Sequence, residues 1–350
     1  MKKKKKKLLP KNFDELLEKG NPDELKAVFD LCDINARGGY SKQTALAYDK
    51  CPDDLARWLV NKGANLQATD TWGNTPLHQR ARSRRSSINV LLELGADIFS
   101  KSSSIGTPLH AAADSYNVNN ARLLIEAGAK INETNNERLT PLEWALRRCT
   151  NIDIENMVDL AIIFLNAGAK KTPYMKGFVE EIGKRFEFHR NGYNPNMVES
   201  VSNALNKLYE LFEVIPVPRR QMHDDKSPII IRAKTWEKQH QELWNLLVPS
   251  SGPATTIQGE LIRISGRIAN EIEDNGGVNW DADYIKMADA FLEHIQSGEQ
   301  ISSSDLKAAA SIVAEVKRMS GDTARMAQLA VKWVIQNPLP IKLPPPPYKR

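Results

Sequence analysis

The apolar residues in the first two thirds of the chain fall into short stripes at helical spacing. Three of these stripes, ARWLVNK at 56–62, INVLLEL at 88–94 and ARLLIEA at 121–127, are each closed by a Gly-Ala pair. The glycines of those pairs, Gly63, Gly95 and Gly128, stand 32 and 33 residues apart. A second marker keeps the same beat. Thr44-Ala-Leu-Ala47, Thr75-Pro-Leu-His78, Thr107-Pro-Leu-His110 and Thr140-Pro-Leu-Glu143 recur at intervals of 31, 32 and 33 residues. Thr75 suits an N-cap, and Pro76 suits the first helical position because its missing N–H would have had no partner there. The helix begun at Pro76 can turn Leu77 and Ala81 toward a neighbour. A second helix, predicted over about Ser86 to Leu94, stops at Gly95, whose missing Cβ permits the left-handed conformation that ends helices. One such unit cannot bury its apolar face alone, so stacking of successive units must create the core.

The segments NFDELLEKG and PDELKAVFDLCDIN add a degenerate first unit, which places the start of the stack near residue 12. At the other end Thr172-Pro173 opens a longer pair of helices, about Pro173 to His189 and Pro195 to Phe212, read as a divergent cap. The stretch 214–235 mixes prolines with charges and reads as a linker, although Ile229 to Ile231 suit a short strand. Helical periodicity then returns near 236–247, 254–274, 281–296, 303–319 and 323–336. Ile257, Leu261, Ile264, Ile268 and Ile272 mark one face of a long helix in this region. The expected organisation is a disordered polylysine tail (1–11), a repeat domain (12–213), a linker (214–235), a small helical domain (236–337) and a proline-rich tail (338–350).

The combined register of TPLH and Gly-Ala markers resembles the ankyrin repeat, which implies an all-α ankyrin-repeat solenoid ahead of the helical domain. The helical domain itself resembles no assignable family. The ankyrin resemblance implies protein binding through a concave surface, made by the turn fingers and the exposed side of the first helix in each pair. By register, Tyr40, Trp72, Ser103, Ser104, Asn136 and Glu137 take the finger tips. Arg82, Ser83, Asp114, Ser115, Arg147 and Arg148 take the helix positions. Trp72 stands between Thr71 and Gly73 in a turn and is the expected anchor, because Trp and Arg dominate interface energetics. Arg80, Arg82, Arg84 and Arg85 make the third unit basic, so the expected partner is a protein with an acidic surface. The same resemblance gives His78 and His110 a structural role, bonding backbone between adjacent units.

Composition narrows the remaining classes. The 350 residues contain 41% apolar side chains, enough for sizeable cores, but no apolar run approaches the ~20 residues of a membrane span. The formal charge of +5 comes from 48 basic and 43 acidic residues. The six lysines Lys2 to Lys7 account for all of it, and without them the balance is −1. A positive charge confined to a tail argues against a domain that reads nucleic acid by sequence. Cys32, Cys51 and Cys149 are odd in number and widely spaced, which points to buried thiols in a reducing, cytoplasmic compartment.

Candidate chemistry is sparse. His240 and Glu242 form an HxE, but no cysteine follows Cys149 to complete a zinc deaminase motif. Trp236, His240 and Trp244 share one helix face. Asp281 and Asp283 lack the further ligands of a calcium loop, and Asp281 serves equally as an N-cap. Glu260, Arg263, Arg267 and Glu271 form a stripe that either lines a cleft or pairs along the helix. Pro345-Pro-Pro-Tyr348 resembles the PPxY ligand of WW domains, and equally fits a stiff, disordered tail. No catalytic residue, metal or cofactor is expected. The expected function is a non-enzymatic adaptor or inhibitor, of which a toxin-neutralising immunity protein is one form. The alternative is an enzyme or effector whose helical domain acts on a partner recruited by the repeats.

Overall fold

The computed structural model describes residues 4–350. The chain divides into a first unit that runs to Phe186 and resumes over Asn194–Val217, and a second unit made of Glu187–Tyr193 and Pro218–Arg350.

In the first unit, β1 (Lys6–Leu8) pairs in parallel with β2 (Cys32–Gly38), and β2 pairs antiparallel with β3 (Gln43–Thr44). Helices α1 (Phe13–Lys19) and α2 (Pro22–Leu31) lie between β1 and β2 in sequence. Residues 1–3 of the expected tail lie outside the described residues. Residues 4–11, expected to be disordered, are tied down instead: Leu9 is buried, its N–H donates to the Arg37 carbonyl at 2.9 Å, and the Lys5 ammonium donates to the Phe29 carbonyl. Burial of Leu9 beside Gly38, and of Phe13 edge-on to Phe29 and Tyr48, supplies an anchor that a lysine-rich composition does not reveal.

The repeat markers then unfold in order. Thr44-Ala-Leu-Ala47 forms only a 3₁₀ turn over Ala45–Ala47, since it lacks the N1 proline and Pro52 disfavours helical backbone at Cys51. Its partner helix is α3 (Asp53–Asn61). The next pairs are α4 (Pro76–Arg82) with α5 (Asn89–Glu93), α6 (Pro108–Asp114) with α7 (Val118–Glu126), and α8 (Pro141–Arg148) with α9 (Ile154–Asn166). The long helices α10 (Pro173–His189) and α11 (Pro195–Phe212) follow with the bounds expected from sequence. Helix α5 is shorter than predicted because the Ser86 carbonyl accepts from Asn120 Nδ2 at 3.0 Å and the Ser87 carbonyl from Arg80 at 2.8 Å. Gly63, Gly95, Gly128 and Gly168 all hold positive φ, between 84° and 92°, where a Cβ would be strained.

The second unit contains α12 (Trp236–Leu247), α13 (Ile257–Ala269), α14 (Ala282–Ile295), α15 (Ser303–Val316) and α16 (Thr323–Gln336). Helix α13 runs into a π turn over Asn270–Asp274. The core gathers Leu261, Ile264 and Ile268 of α13 with Phe291, Val313 and the fully buried Trp333. Two segments expected to be free are parts of this unit. From Pro218 onward the supposed linker is bound by Arg220, whose guanidinium donates to the Trp244 carbonyl at 3.0 Å and the Phe188 carbonyl at 3.2 Å, and by Ile229, which enters the core. Ile229 forms no strand, but its N–H donates to the Pro338 carbonyl at 2.8 Å. The proline-rich tail is likewise seated: Leu343 N–H donates to the Thr255 carbonyl at 2.9 Å, and Leu343 and Tyr348 are buried.

Candidate functional site

Three successive fingers are each built by one side-chain oxygen placed at the repeat beat. Asp70 Oδ1 accepts from the N–H groups of Trp72 at 2.8 Å and Asn74 at 2.9 Å, folding the turn that presents Trp72. Ser102 Oγ accepts from Ser104 N–H at 3.2 Å, and Asn135 Oδ1 from Glu137 N–H at 3.0 Å. Successive fingers are stitched together. Thr71 N–H donates to the Ser41 carbonyl at 2.9 Å, Ser102 and Ser103 hydroxyls donate to the Trp72 carbonyl, and Asn136 Nδ2 donates to the Ser103 carbonyl at 2.9 Å. Ser103 and Asn136, placed among the binding residues by register, therefore brace the fingers. Glu137 pairs with Arg147 at 2.5 Å.

At the tips of the first two fingers the rings of Tyr40 and Trp72 lie 5.7 Å apart at 41°. Tyr40 is 91% exposed and Trp72 44%, so the pair presents aromatic surface to solvent. Beside it runs a groove with two adjoining hollows of about 530 and 200 Å³, both bordered by Asn74, Gln79, Arg82 and Ser104. The groove's inner end is organised by Asp114. Its nearly buried carboxylate accepts from Arg82 at 2.8 Å, Arg148 at 2.7 Å and the Trp144 indole N–H at 2.9 Å. The Arg148 guanidinium also lies 5.2 Å from the Trp144 ring centre. Ser83 and Ser115 are half-buried, with Ser83 Oγ donating to Asp49 at 3.3 Å and Ser115 Oγ to its own helix.

The structure thus gathers Tyr40, Trp72, Arg82, Ser104, Asp114 and Arg148 along one groove. Trp144 and Gln79, absent from the sequence expectation, also line it. Gln79, Ala111 and Trp144 each follow the TPLH or TPLE motif directly, and this shared register was the available signal.

The basic third unit is a correction. Arg80 is buried and spent on Ser86 Oγ and the Ser87 carbonyl, Arg82 pairs with Asp114, and Arg84 donates to the Ser115 carbonyl at 2.7 Å and pairs with Asp153 at 3.3 Å. Among the described residues only Arg85 of the four has a guanidinium without such a partner. Pairing with carboxylates contributed by other repeats neutralises what the local sequence shows as a positive cluster.

His78 and His110 join neighbouring repeats. His78 Nδ1 accepts from Thr75 N–H at 3.2 Å, which leaves Nε2–H to donate to the Gly106 carbonyl at 2.9 Å. His110 repeats the arrangement with Thr107 and the Leu139 carbonyl. Burial pushes both imidazoles down to about 4. Glu143 takes the same place in the next repeat, accepting from Thr140 N–H at 2.8 Å and from the Thr172 hydroxyl at 2.6 Å.

In the second unit the charged stripe separates into distinct roles. Glu260 and Arg263 are buried and paired by two hydrogen bonds, of 2.9 and 2.6 Å. Glu260 also accepts from Ala254 N–H at 2.8 Å and Tyr348 O–H at 2.7 Å, while Arg263 donates to the Arg350 carbonyl at 2.7 Å. Burial alone would raise the Glu260 carboxyl, but Arg263 and these donors hold it below the usual range. Glu271 accepts from Asn275 and from Asn279 N–H, closing the turn after the π segment. The pair is locked inside the fold and forms no open cleft. Asp281 caps α14 through Asp283 and Tyr284 N–H groups and binds the Arg350 guanidinium at 2.7 Å. His240 Nε2 bonds Ser265 Oγ at 3.0 Å, and Glu242 accepts from the N–H groups of Arg232 and Ala233.

Comparison with known proteins agrees with the stacked repeats. A family model described as ankyrin repeats in many copies matches residues 43–85, and a single ankyrin repeat model matches 106–136. Residues 43–136 thus carry ankyrin repeats. The chain is 27% identical over 133 residues to the phosphocholine transferase AnkX of Legionella pneumophila, covering 36% of this chain and 14% of that protein. It is 37% identical over 105 residues to an ankyrin repeat protein of fowlpox virus (29% and 31%), and 35% identical over 113 residues to the human ankyrin repeat and SOCS box protein 16 (31% and 25%). The chain spans less than a third of the length of each of these relatives. Repeats of this kind support a protein-interaction role. No described helix is long and apolar enough to cross a membrane.

Proposed function

We propose that the protein is a non-enzymatic adaptor or inhibitor that grips a protein partner in the groove running from Tyr40 and Trp72 to Asp114. The observation that carries this reading is the exposed aromatic pair at the mouth of a groove whose walls are already braced by inter-repeat hydrogen bonds. A preformed wall loses little conformational entropy on binding, so aromatic burial translates into affinity. Because Arg82 and Arg148 already share Asp114, the partner we propose offers an apolar or aromatic anchor with mixed charge, in place of a purely acidic face. An immunity protein that covers a toxin is one role within this class. The non-enzymatic reading draws support from the locked Glu260–Arg263 pair, since the stripe with most chemical potential in the sequence is committed to structure. The buried thiols Cys32, Cys51 and Cys149 favour a reducing, cytoplasmic setting.

Affinity capture with the wild-type chain and with Tyr40→Ala/Trp72→Ala tests the groove. A hot-spot pair predicts a loss of about 2 kcal/mol or more, roughly thirty-fold in Kd, for a partner the wild type retains. Thermal stability should hold, since both rings are exposed. Equal retention by a folded double variant would remove the groove from consideration.

A further inference from the structure

Arg267 is the member of the charged stripe that the fold leaves unspent. It follows Arg263 by one turn of α13 and is half-buried, yet its guanidinium has no hydrogen-bond or carboxylate partner among the described residues. Burial draws its pKa below the usual guanidinium range, with the neighbouring Arg263 adding to the effect. Glu260, already bound to Arg263, acts on Arg267 only from a distance, and a half-buried cation with no bonded counter-charge is unfavourable for the free protein.

The guanidinium borders a cleft of about 450 Å³ lined also by His240, Trp244, Asn270 and Tyr284. Two of the walls are stiffened by stacking. The rings of His240 and Trp244 lie 6.3 Å apart at 30°, and the Tyr284 ring lies 5.0 Å from that of Trp280 at 12°. Asn270 opens the π turn, a rare backbone form often found at functional sites, and its amide donates to Asp274 at 3.1 Å. An aromatic-walled hollow of this size with a few convergent polar groups has the makeup of a small-molecule pocket.

We propose that this cleft binds a small planar anion, with Arg267 holding its carboxylate or phosphate and the aromatic walls flanking its ring. A guanidinium suits both head groups because its fork matches two oxygens at once. The site lies within the helical unit and is independent of the groove formed by the repeats.

Calorimetric titration of the full chain with phenyl phosphate, benzoate and inorganic phosphate tests the proposal. Saturable binding of at least one aromatic anion is expected, tighter than inorganic phosphate, weakened ten-fold or more by Arg267→Gln and only partly restored by Arg267→Lys, which keeps the charge but not the fork. The tighter of phenyl phosphate and benzoate identifies the head group. Without ligand, Arg267→Gln should melt at or above the wild-type temperature, because it removes a half-buried charge that has no bonded partner. Failure of both aromatic anions to bind would overturn the site, as would equal binding by Arg267→Gln. A lower melting temperature for unliganded Arg267→Gln would show that Arg267 is structural and would overturn it as well.

Discussion

At the scale of single residues, the two histidines of the repeat motif make stability depend on pH. Each imidazole is neutral in the fold, with a pKa pushed down to about 4 from an ordinary value of 6.5. The unfolded chain binds the proton first as pH falls, so the stabilising contribution is complete above about pH 6.5 and drains away between there and about pH 4. A shift of that size corresponds to about 3 kcal/mol per histidine. Urea unfolding at pH 7.5, 5.5 and 4.5 should show falling midpoints, and the His78→Gln/His110→Gln variant should show a flatter dependence over the same window. An unchanged slope would mean that the imidazoles take up protons as readily in the fold as in the unfolded chain. Glu143 shows how the motif tolerates another residue: a carboxylate also accepts from the N-cap and reaches the next repeat through Thr172. The resemblance made the histidine role legible from TPLH alone. The role of Asp114 was not, because its three donors come from helices α4 and α8, roughly one repeat away on either side.

At the scale of elements, the boundaries of α4, α6 and α8 follow directly from Thr-Pro, and those of α10 and α11 from the same local chemistry. The C-terminal segment shows the opposite case. PPPPY reads as a polyproline ligand, but Tyr348 is buried and donates to Glu260, while Arg350 binds Asp281. The segment closes the buried pair of α13 and shields it from water. Tyr348→Phe should lower unfolding stability by about 1.5–3 kcal/mol, the range for a hydrogen bond to a charged group, measured by denaturant titration. Glu260→Gln should cost about 3–5 kcal/mol, since it leaves Arg263 buried without its counter-charge. Near-wild-type stability in Glu260→Gln would mean that the pair is open to solvent.

For the whole molecule, the beat of 31 to 33 residues requires stacked neighbours, and a fragment ending at Val217 retains the repeats, α11 and the β1–β3 sheet. Expressed alone, it should give a soluble, helix-rich circular dichroism spectrum with cooperative melting. An unfolded spectrum would place the boundary of the solenoid elsewhere. The sequence by itself determined the repeat architecture, the bounds of α10 and α11, the five helices of the second unit and the turns between the repeats. Those depend on caps, on apolar spacing along one helix and on contacts between adjacent repeats, all of which recur at short, regular separations. Tertiary structure alone decided which charges are free, that Lys6–Leu8 is a strand, that the 218–235 segment and the tail belong to the second unit, and that Arg267 borders a cleft. These follow from where distant segments meet: Glu260 and Tyr348 are 88 residues apart, and Arg350 and Asp281 are 69. Pairings at such separations leave no periodic trace in the chain, because the energy that selects them comes from burial and charge compensation in the finished fold.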